Sequence, residues 1–166
     1  MNQEIVALFR RLTLGVYVVG VAHGSDHDAF TAAAVLQASY KPLILAVAVN
    51  PEHASYSILR AGRVFAVSVL ADNQMELARR FGTATPQGTD KMNTVAWRIG
   101  RRGAPILGEA LAFFECAVQA DIPAGDHHIV LGQVMDGAVL NSTGSPLAYA
   151  DTHNLDHSAS LYPASF

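Results

Sequence analysis

The chain has 166 residues, a length that suits one domain, so residues 1–166 are predicted to form a single unit around one core. Its net charge of -3 argues against nucleic acid as a partner, because phosphate binding needs clustered cations. Hydrophobic residues make up 51% of the chain, yet apolar runs such as LILAVAV fall far short of the roughly 20 residues that span a bilayer. We therefore expect no membrane partner and a homodimer that buries the excess apolar surface. The N-terminus lacks a signal-peptide layout, which predicts a cytoplasmic protein.

The first half of the chain predicts one short helix, a series of strands and a second helix. Ile5, Leu8, Phe9 and Leu12 have helical spacing. GVYVVGVA is typical of a buried strand, HGSDHD of a turn, and AFTAAAVLQASY and LILAVAVN of extended chain. EHASYSILRAG fits a short helix that ends at Gly62, and VFAVSVL predicts another strand.

The second half predicts one more helix and then strands. Asn73 and Glu76 form a capping-box pattern that opens a helix through MELARRF, which ends at Gly82. GTATPQGTD is a loop of small residues that leads to Lys91, and LAFFECAVQAD, HHIVLGQVMDGAVL and PLAYA are typical of strands. Because strands dominate and helices are short, the pattern favours a closed or partly closed antiparallel barrel.

Two histidines stand together in IPAGDHHIV, between apolar segments. On a strand, His127 and His128 point to opposite faces, so the pair cannot chelate one metal ion. His153 and His157 have i,i+4 spacing but lack the glutamate of the zincin pattern. Cys116 lies in an apolar strand, which indicates a buried structural thiol. The sequence therefore predicts neither a metal site nor a cysteine nucleophile.

Three features suit a ligand site, and each has a simpler structural explanation. Ser55 and Ser57 fall in the first turn of a helix, where free backbone N–H groups favour an anion, although Ser55 could act only as a cap. Lys91 could bind a phosphate or simply be solvated. The run from Thr31 to Ala34 carries almost no side-chain bulk, which suits a flat ring, a tight barrel interior or a close dimer contact. Local evidence leaves these alternatives open.

Taken in order, several stretches resemble the flavin reductase family, whose fold is the FMN-binding split barrel. The resemblance covers roughly residues 8 to 150. It predicts a mainly β protein with short helices, built as an antiparallel split β-barrel of Greek-key type. The matching stretches are FRRLTLGVYVVGV, TAAAVLQASYKPLILAVAV, SYSILRAGRVFAVSVL, QMELARRFG, DKM, GAPILGEALAFFECAV and AGDHHIVLGQV.

The resemblance implies a bound FMN, with FAD as the alternative cofactor, and NAD(P)H as co-substrate. The flavin ring would lie against Thr31, Ala32, Ala33 and Ala34, near Gln37, Val49 and Asn50, and the phosphate would bind Ser55, Ser57 and Lys91. The turn of Gly125, Asp126 and His127 would face the flavin, and His127 would orient the nicotinamide during hydride transfer. His128 would face away and has no assigned role. Ala33 and Ala34 stand where many relatives have polar or aromatic residues, and ADTHNLDHSASLYPASF has no counterpart.

The function that the resemblance implies is a flavin reductase that passes a hydride from NAD(P)H to flavin. The reduced flavin would then serve a partner monooxygenase or another acceptor. Two alternatives stay open: an FMN-containing electron-transfer module without efficient NAD(P)H oxidation, and a non-enzymatic, flavin-free split-barrel subunit. The side-chain-poor segment Ala32–Ala34 is the observation that favours the flavin-free subunit.

Overall fold

A computed structural model describes residues 3–83 and 90–165. The described residues form a mainly β protein with three α-helices, which confirms the predicted fold class. The helices are α1 Gln3–Phe9, α2 Ala54–Gly62 and α3 Met75–Gly82. The strands are β1 Tyr17–His23, β2 Asp26–Ala32, β3 Val35–Tyr40, β4 Leu43–Val49, β5 Val64–Val69, β6 Trp97–Ile99, β7 Pro105–Leu107, β8 Ala112–Ala124 and β9 His127–Val139.

Seven strands form one antiparallel sheet in the order β2-β1-β5-β8-β9-β4-β3. Strands β2 and β3 therefore lie at opposite edges of the sheet, yet only Ala33 and Ala34 separate them in the chain. The amide of Ala48 on β4 donates to the carbonyl of Ala34 at 3.0 Å. So short a connection between the two edges requires the sheet to curl on itself, and this curl produces the barrel.

The continuous apolar character of β1 follows from packing on both of its faces. Val19 and Val21 belong to the barrel interior, together with Phe65 and Val130. Val18 points the other way into a second core beneath α3. Because both faces are covered, the strand carries no alternating polar positions.

Helix α2 lies against β1 and ends at Gly62, as the sequence predicts. The left-handed residue that terminates it is Arg63, with φ 58°, and Gly62 is the last helical residue. A Cβ on Gly62 would lie 1.7 Å from the carbonyl oxygen of Ala22 on β1. Glycine at this position therefore permits close packing of helix on strand and does not serve as the C-cap.

Two predictions about local structure are wrong. Helix α3 is capped at Gln74, not Asn73, and the Gln74 side chain instead accepts from the amide of Ala71 at 2.8 Å and donates to the carbonyl of Glu109. The segment PLAYA makes isolated bridges at Pro146 and Ala148 and then enters a single-turn 3-10 helix. The small β6–β7 hairpin was not predicted from the sequence.

The predicted loop GTATPQGTD lies mostly outside the described residues. Among the described helices, none combines the length and apolar character that a membrane span requires.

Candidate functional site

A cavity of about 630 Å³ lies where the end of β2, the end of β4 and the β8–β9 turn meet. This volume is in the range of pockets that hold small molecules and cofactors. The cavity brings together many of the residues that the resemblance selected. The predicted site residues in its wall are Thr31, Ala32, Ala33, Ala34, Asn50, Asp126 and His127.

The alanine segment forms a flat, side-chain-poor wall of this cavity. The hydroxyl hydrogen of Thr31 is already used, because its Oγ1 donates to the carbonyl of Ala78 on α3 at 2.7 Å, so the hydroxyl can only accept from a ligand. Ala33 and Ala34 form the link between the two sheet edges, where their backbone leaves the regular ladder. Small side chains at this point let a planar ring approach the backbone closely.

The β8–β9 hairpin presents Asp126 and His127 to the cavity. Its two-residue turn is Gly125–Asp126, and Gly125 has φ 70°, which glycine adopts without steric cost. Nδ1 of His127 lies 2.8 Å from Oδ1 of Asp126. Because a carboxylate only accepts, Nδ1 carries the hydrogen, and Nε2 of a neutral His127 is then an acceptor. The hydrogen bond from His127 also lowers the pKa of Asp126.

His53 is a wall residue that the sequence analysis missed. It occupies the N-cap position of α2, and its ring packs edge-on against Phe30 with a centroid separation of 6.2 Å. Partial burial lowers its pKa, and the nearby positive charges of His127 and Lys91 lower it further, opposed by Asp28. The sequence offered one signal for His53: the helix predicted from EHASYSILRAG places this residue near a helix start, where a side chain can face a ligand.

The serines predicted to hold a phosphate are otherwise engaged. Ser55 is buried, and its Oγ donates to Oδ2 of Asp28 at 2.6 Å, so it does not act as the helix cap. Ser57 is exposed and donates to the carbonyl of Ala54 at 2.8 Å. Neither lines the cavity described above.

Lys91 lies near Asp28 and His53 but outside the cavity wall. Its Nζ donates to the carbonyl of Thr83. Desolvation lowers the pKa of Lys91, and the charge of Asp28 opposes that shift. Lys91, Asp28 and His53 therefore influence one another electrostatically at one end of the site.

Three other predicted residues do not line the cavity. Gln37 is exposed on β3, and its side chain turns back toward the carbonyl of Ser39. Val49 is 1% exposed inside the barrel core, because strand alternation gives the cavity face to Ala48 and Asn50 instead. Gly125 shapes the turn without facing the cavity.

The C-terminal segment forms the outer wall of the cavity, which the sequence did not predict. This segment, residues 149–163, folds on itself: the hydroxyl of Tyr149 donates to Oδ2 of Asp156 at 2.9 Å and lies 2.7 Å from Oγ of Ser158. Tyr162 packs against Phe9 of α1 with ring centroids 5.3 Å apart. Leu155 and Leu161 add apolar surface. The C-terminal segment therefore gives the cavity aromatic and apolar side chains together with the polar groups of Asp156 and Ser158.

His128 points away from the cavity, as strand alternation predicts. Its Nδ1 lies 2.6 Å from Oδ1 of Asp121 and 2.8 Å from the hydroxyl of Tyr56. Tyr56 in turn donates to Oδ2 of Asp121 at 2.8 Å. His128 thus belongs to a polar network that joins α2 to the β8–β9 hairpin. Among the described residues, no group of three His, Cys, Asp or Glu side chains has the arrangement of a metal site.

The residues present suit the ring of a flavin better than its phosphate. The cavity is lined both by the small side chains Ala32–Ala34 and by aromatic side chains such as Tyr149 and Tyr162, which suits a flat, largely apolar ring. Where a phosphate is expected, the buried hydroxyl of Ser55 already donates its hydrogen to the carboxylate of Asp28. An antiparallel split barrel with such a cavity at the seam, where the chain passes through Ala33 and Ala34 from one sheet edge to the other, defines a flavin reductase-like protein.

Comparison with known proteins places the chain within that class. Residues 9–156 match the model of the flavin reductase like domain, and the chain belongs to this family. SgcE6, an NADH:FAD oxidoreductase of Streptomyces globisporus, is 32% identical, with a TM-score of 0.80 over 88% of this chain and 87% of that one. BorF, the flavin reductase component of a bacterial two-component tryptophan halogenase, is 29% identical, with a TM-score of 0.75 over 87% of this chain and 97% of that one.

Curated relatives include longer proteins. Diflavin flavoprotein A 1 of Synechocystis is 31% identical over 87% of this chain, which corresponds to 25% of that protein. High molecular weight rubredoxin of Moorella thermoacetica is 31% identical over 87% of this chain and 63% of its own length. The chain thus spans about a quarter of the length of the diflavin flavoproteins that it matches.

Proposed function

We propose that residues 1–166 form one flavin-binding domain that oxidises NAD(P)H and reduces flavin, with FMN as the flavin and FAD as the alternative. The observation that carries this proposal is the convergence of the alanine wall, Ala32–Ala34, with Asp126 and His127 on a single cavity. When bound, the flavin supplies the redox chemistry by accepting a hydride from the nicotinamide. SgcE6, which has been solved in complex with NAD and FAD fragments, supports this assignment at 31% identity.

In this proposal, His127 binds the carboxamide of the nicotinamide. Asp126 holds the Nδ1–H of His127 at 2.8 Å, so Nε2 of the neutral ring can accept a hydrogen bond from the carboxamide NH2. Such a contact would fix the rotation of the nicotinamide, so that a bound flavin would receive it in an orientation suited to hydride transfer. The aromatic C-terminal wall excludes water from the same space.

The reduced flavin or the reduced protein then serves a further acceptor, which we propose to be a partner monooxygenase. BorF supports this, because it is a component of a two-component halogenase system. An electron-transfer module is the second candidate, and the similarity to diflavin flavoproteins and to a high molecular weight rubredoxin favours it. In such a module the flavin would stay bound and electrons would come from another domain or protein.

The two candidates differ in how flavin and nicotinamide behave. The absorbance spectrum of the purified protein, recorded with FMN or FAD and again after anaerobic NADH or NADPH, tests both. Rapid bleaching of the flavin band with exchangeable flavin supports the reductase. Slow bleaching with flavin that survives gel filtration supports the module, and a colourless protein that binds neither flavin contradicts both.

The paired histidines offer a sharper test with a matched control. We expect His127→Ala to slow flavin reduction in anaerobic stopped-flow and to raise the apparent KM for NAD(P)H. Flavin affinity and reduction by dithionite should stay near wild type, because neither uses the nicotinamide contact. His128→Ala removes the adjacent ring on the opposite face, and it should leave the reduction rate nearly unchanged while lowering stability. If His128→Ala is the slower variant, or if neither is slow, the role assigned to His127 is wrong.

A further inference from the structure

Asp28 is a partly buried carboxylate at the end of the site where the flavin phosphate is expected. It lies on β2, where its Oδ1 accepts from the amide of Ala29 at 2.8 Å and its Oδ2 accepts from Oγ of Ser55 at 2.6 Å. Ser55 is 5% exposed in the first turn of α2. The carboxylate is thus fixed by two hydrogen bonds. One of them comes from the buried hydroxyl of Ser55, which the family resemblance assigns to the phosphate.

The geometry of β2 separates this end from the ring-binding wall. Asp28, Phe30 and Ala32 alternate onto the same face of the strand, and the four-residue step from Ala32 to Asp28 spans about 13 Å. His53 packs on Phe30, midway along this face. If the ring of a ligand lies at Ala32, only its tail, and not its ring, can reach Asp28.

The groups around Asp28 are those expected to meet a phosphate. Its negative charge acts on both Lys91 and His53, raising the pKa of each against the effect of desolvation. Glu52 also acts on His53, and His127 acts on it from the cavity side. Lys91 and the imidazole of His53 therefore already have an acidic neighbour at this end of the site.

We propose that Asp28 is a specificity-determining residue that weakens the hold of the site on the terminal phosphomonoester of FMN and so narrows its preference for FMN over FAD and riboflavin. The inference rests on the proposed flavin site. A phosphomonoester carries about -1.5 to -2 charges at neutral pH, because its second pKa is near 6. Each phosphate of a pyrophosphate diester carries one charge, and riboflavin carries none. A fixed carboxylate near this position repels the monoester dianion most strongly, and it also competes for the cations that would neutralise it.

The test uses Asp28→Asn, which removes the charge and keeps the side-chain shape and one acceptor oxygen. Asp26→Asn on the same strand is the matched control, because Asp26 is exposed and makes the same change in net charge. Dissociation constants for FMN, FAD and riboflavin are measured by flavin fluorescence at low ionic strength. Asp28→Ser repeats the measurement with a second neutral side chain, and thermal melting reports whether each variant is folded.

We expect Asp28→Asn and Asp28→Ser to tighten FMN binding by roughly tenfold, the effect of removing one nearby like charge at a partly exposed site. By the same charge argument, FAD affinity should rise by roughly three- to fivefold, because the phosphate nearest Asp28 carries one charge, and riboflavin affinity should not change. Asp26→Asn should change none of the three. If both Asp28 variants leave FMN affinity unchanged, or alter all three flavins equally, Asp28 does not select against the monoester and the inference is wrong. If wild type and all variants bind no flavin, the proposed function itself fails.

Discussion

Lys91 is one of only two lysines in the chain, and it lies half-buried beside Asp28 and His53. Its ammonium donates to the carbonyl of Thr83, so in this structure its charge is held near the site. Lys41, the other lysine, is exposed in the turn between β3 and β4. At the scale of single residues, Lys91 is the lysine that we propose for the phosphate, and Lys41 is a matched control.

We expect Lys91→Ala to weaken FMN binding by roughly ten- to hundredfold, because a charge-assisted hydrogen bond contributes about 1.5–3 kcal/mol. Riboflavin binding should change little, since riboflavin has no phosphate. Lys41→Ala is the control for the loss of one positive charge. Equal losses of FMN and riboflavin affinity in Lys91→Ala would show that Lys91 acts on folding or elsewhere in the site.

Cys116 behaves as a core residue in the structure. It is fully buried on β8 inside the barrel, and burial raises the pKa of its thiol to about 12, with Glu115 adding to the shift. Because the thiolate is the reactive form, the folded protein should not react with an aromatic disulfide reagent at pH 8. Full labelling is expected only in denaturant. Rapid labelling of the native protein would mean that β8 opens locally.

At the scale of elements, the network of Tyr56, Asp121 and His128 joins helix α2 to the β8–β9 hairpin. Tyr56 comes from the helix, Asp121 from β8 and His128 from β9. Arg60 adds a longer ion pair to Asp121 at 4.0 Å. Desolvation tends to raise the pKa of Asp121, but its hydrogen bonds to Tyr56 and His128 and the positive charges nearby lower it overall. The ionised carboxylate is therefore the form that the fold stabilises.

We expect Asp121→Asn to lower the free energy of unfolding by about 1–3 kcal/mol at pH 7, the range for hydrogen bonds to a charged group. The folded-state pKa of Asp121 lies below its unfolded value of about 3.9. The contribution of the carboxylate is therefore complete above that unfolded pKa and is lost as the pH falls through the lower folded value. Urea unfolding of wild type, Asp121→Asn and the control Asp26→Asn at pH 7 and at acidic pH measures this. A deficit in Asp121→Asn that does not shrink in acid would contradict the assignment.

Elements with a strong apolar pattern could be predicted, whereas their ends depended on tertiary contacts. GVYVVGVA could be assigned because β-branched and apolar residues continue through a strand that is buried on both faces, and LILAVAV because Leu45, Val47 and Val49 fill the barrel core from one face. The cap of α3 could not be predicted in this way. The side chain of Gln74 forms hydrogen bonds with the backbone of Ala71 and of Glu109, and Glu109 is distant in sequence. The PLAYA segment has a strand-like composition but meets the sheet only through isolated bridges.

At the scale of the whole molecule, the curl of the sheet creates the site. The connection through Ala33 and Ala34 brings the end of β2 to the end of β4, and the β8–β9 turn lies across this seam. Family resemblance could select Asp126 and His127, because their motif is local. It could not place His53 or the C-terminal wall, since their positions follow from closure of the barrel and from contacts such as that between Phe9 and Tyr162.

The last prediction concerns assembly. The structure leaves large apolar side chains exposed, among them Leu36 at 59% and Tyr40 at 79% on the edge strand β3, and Val139 at 70% at the end of β9. Exposed apolar side chains on a sheet edge favour association, and a stable interface of standard size buries about 800 Å² per partner. We therefore expect a homodimer in solution. Light scattering at micromolar concentration, with and without FMN, should give twice the chain mass of 17.6 kDa. A monomer with flavin bound would show that one chain completes the site and that these side chains serve another purpose.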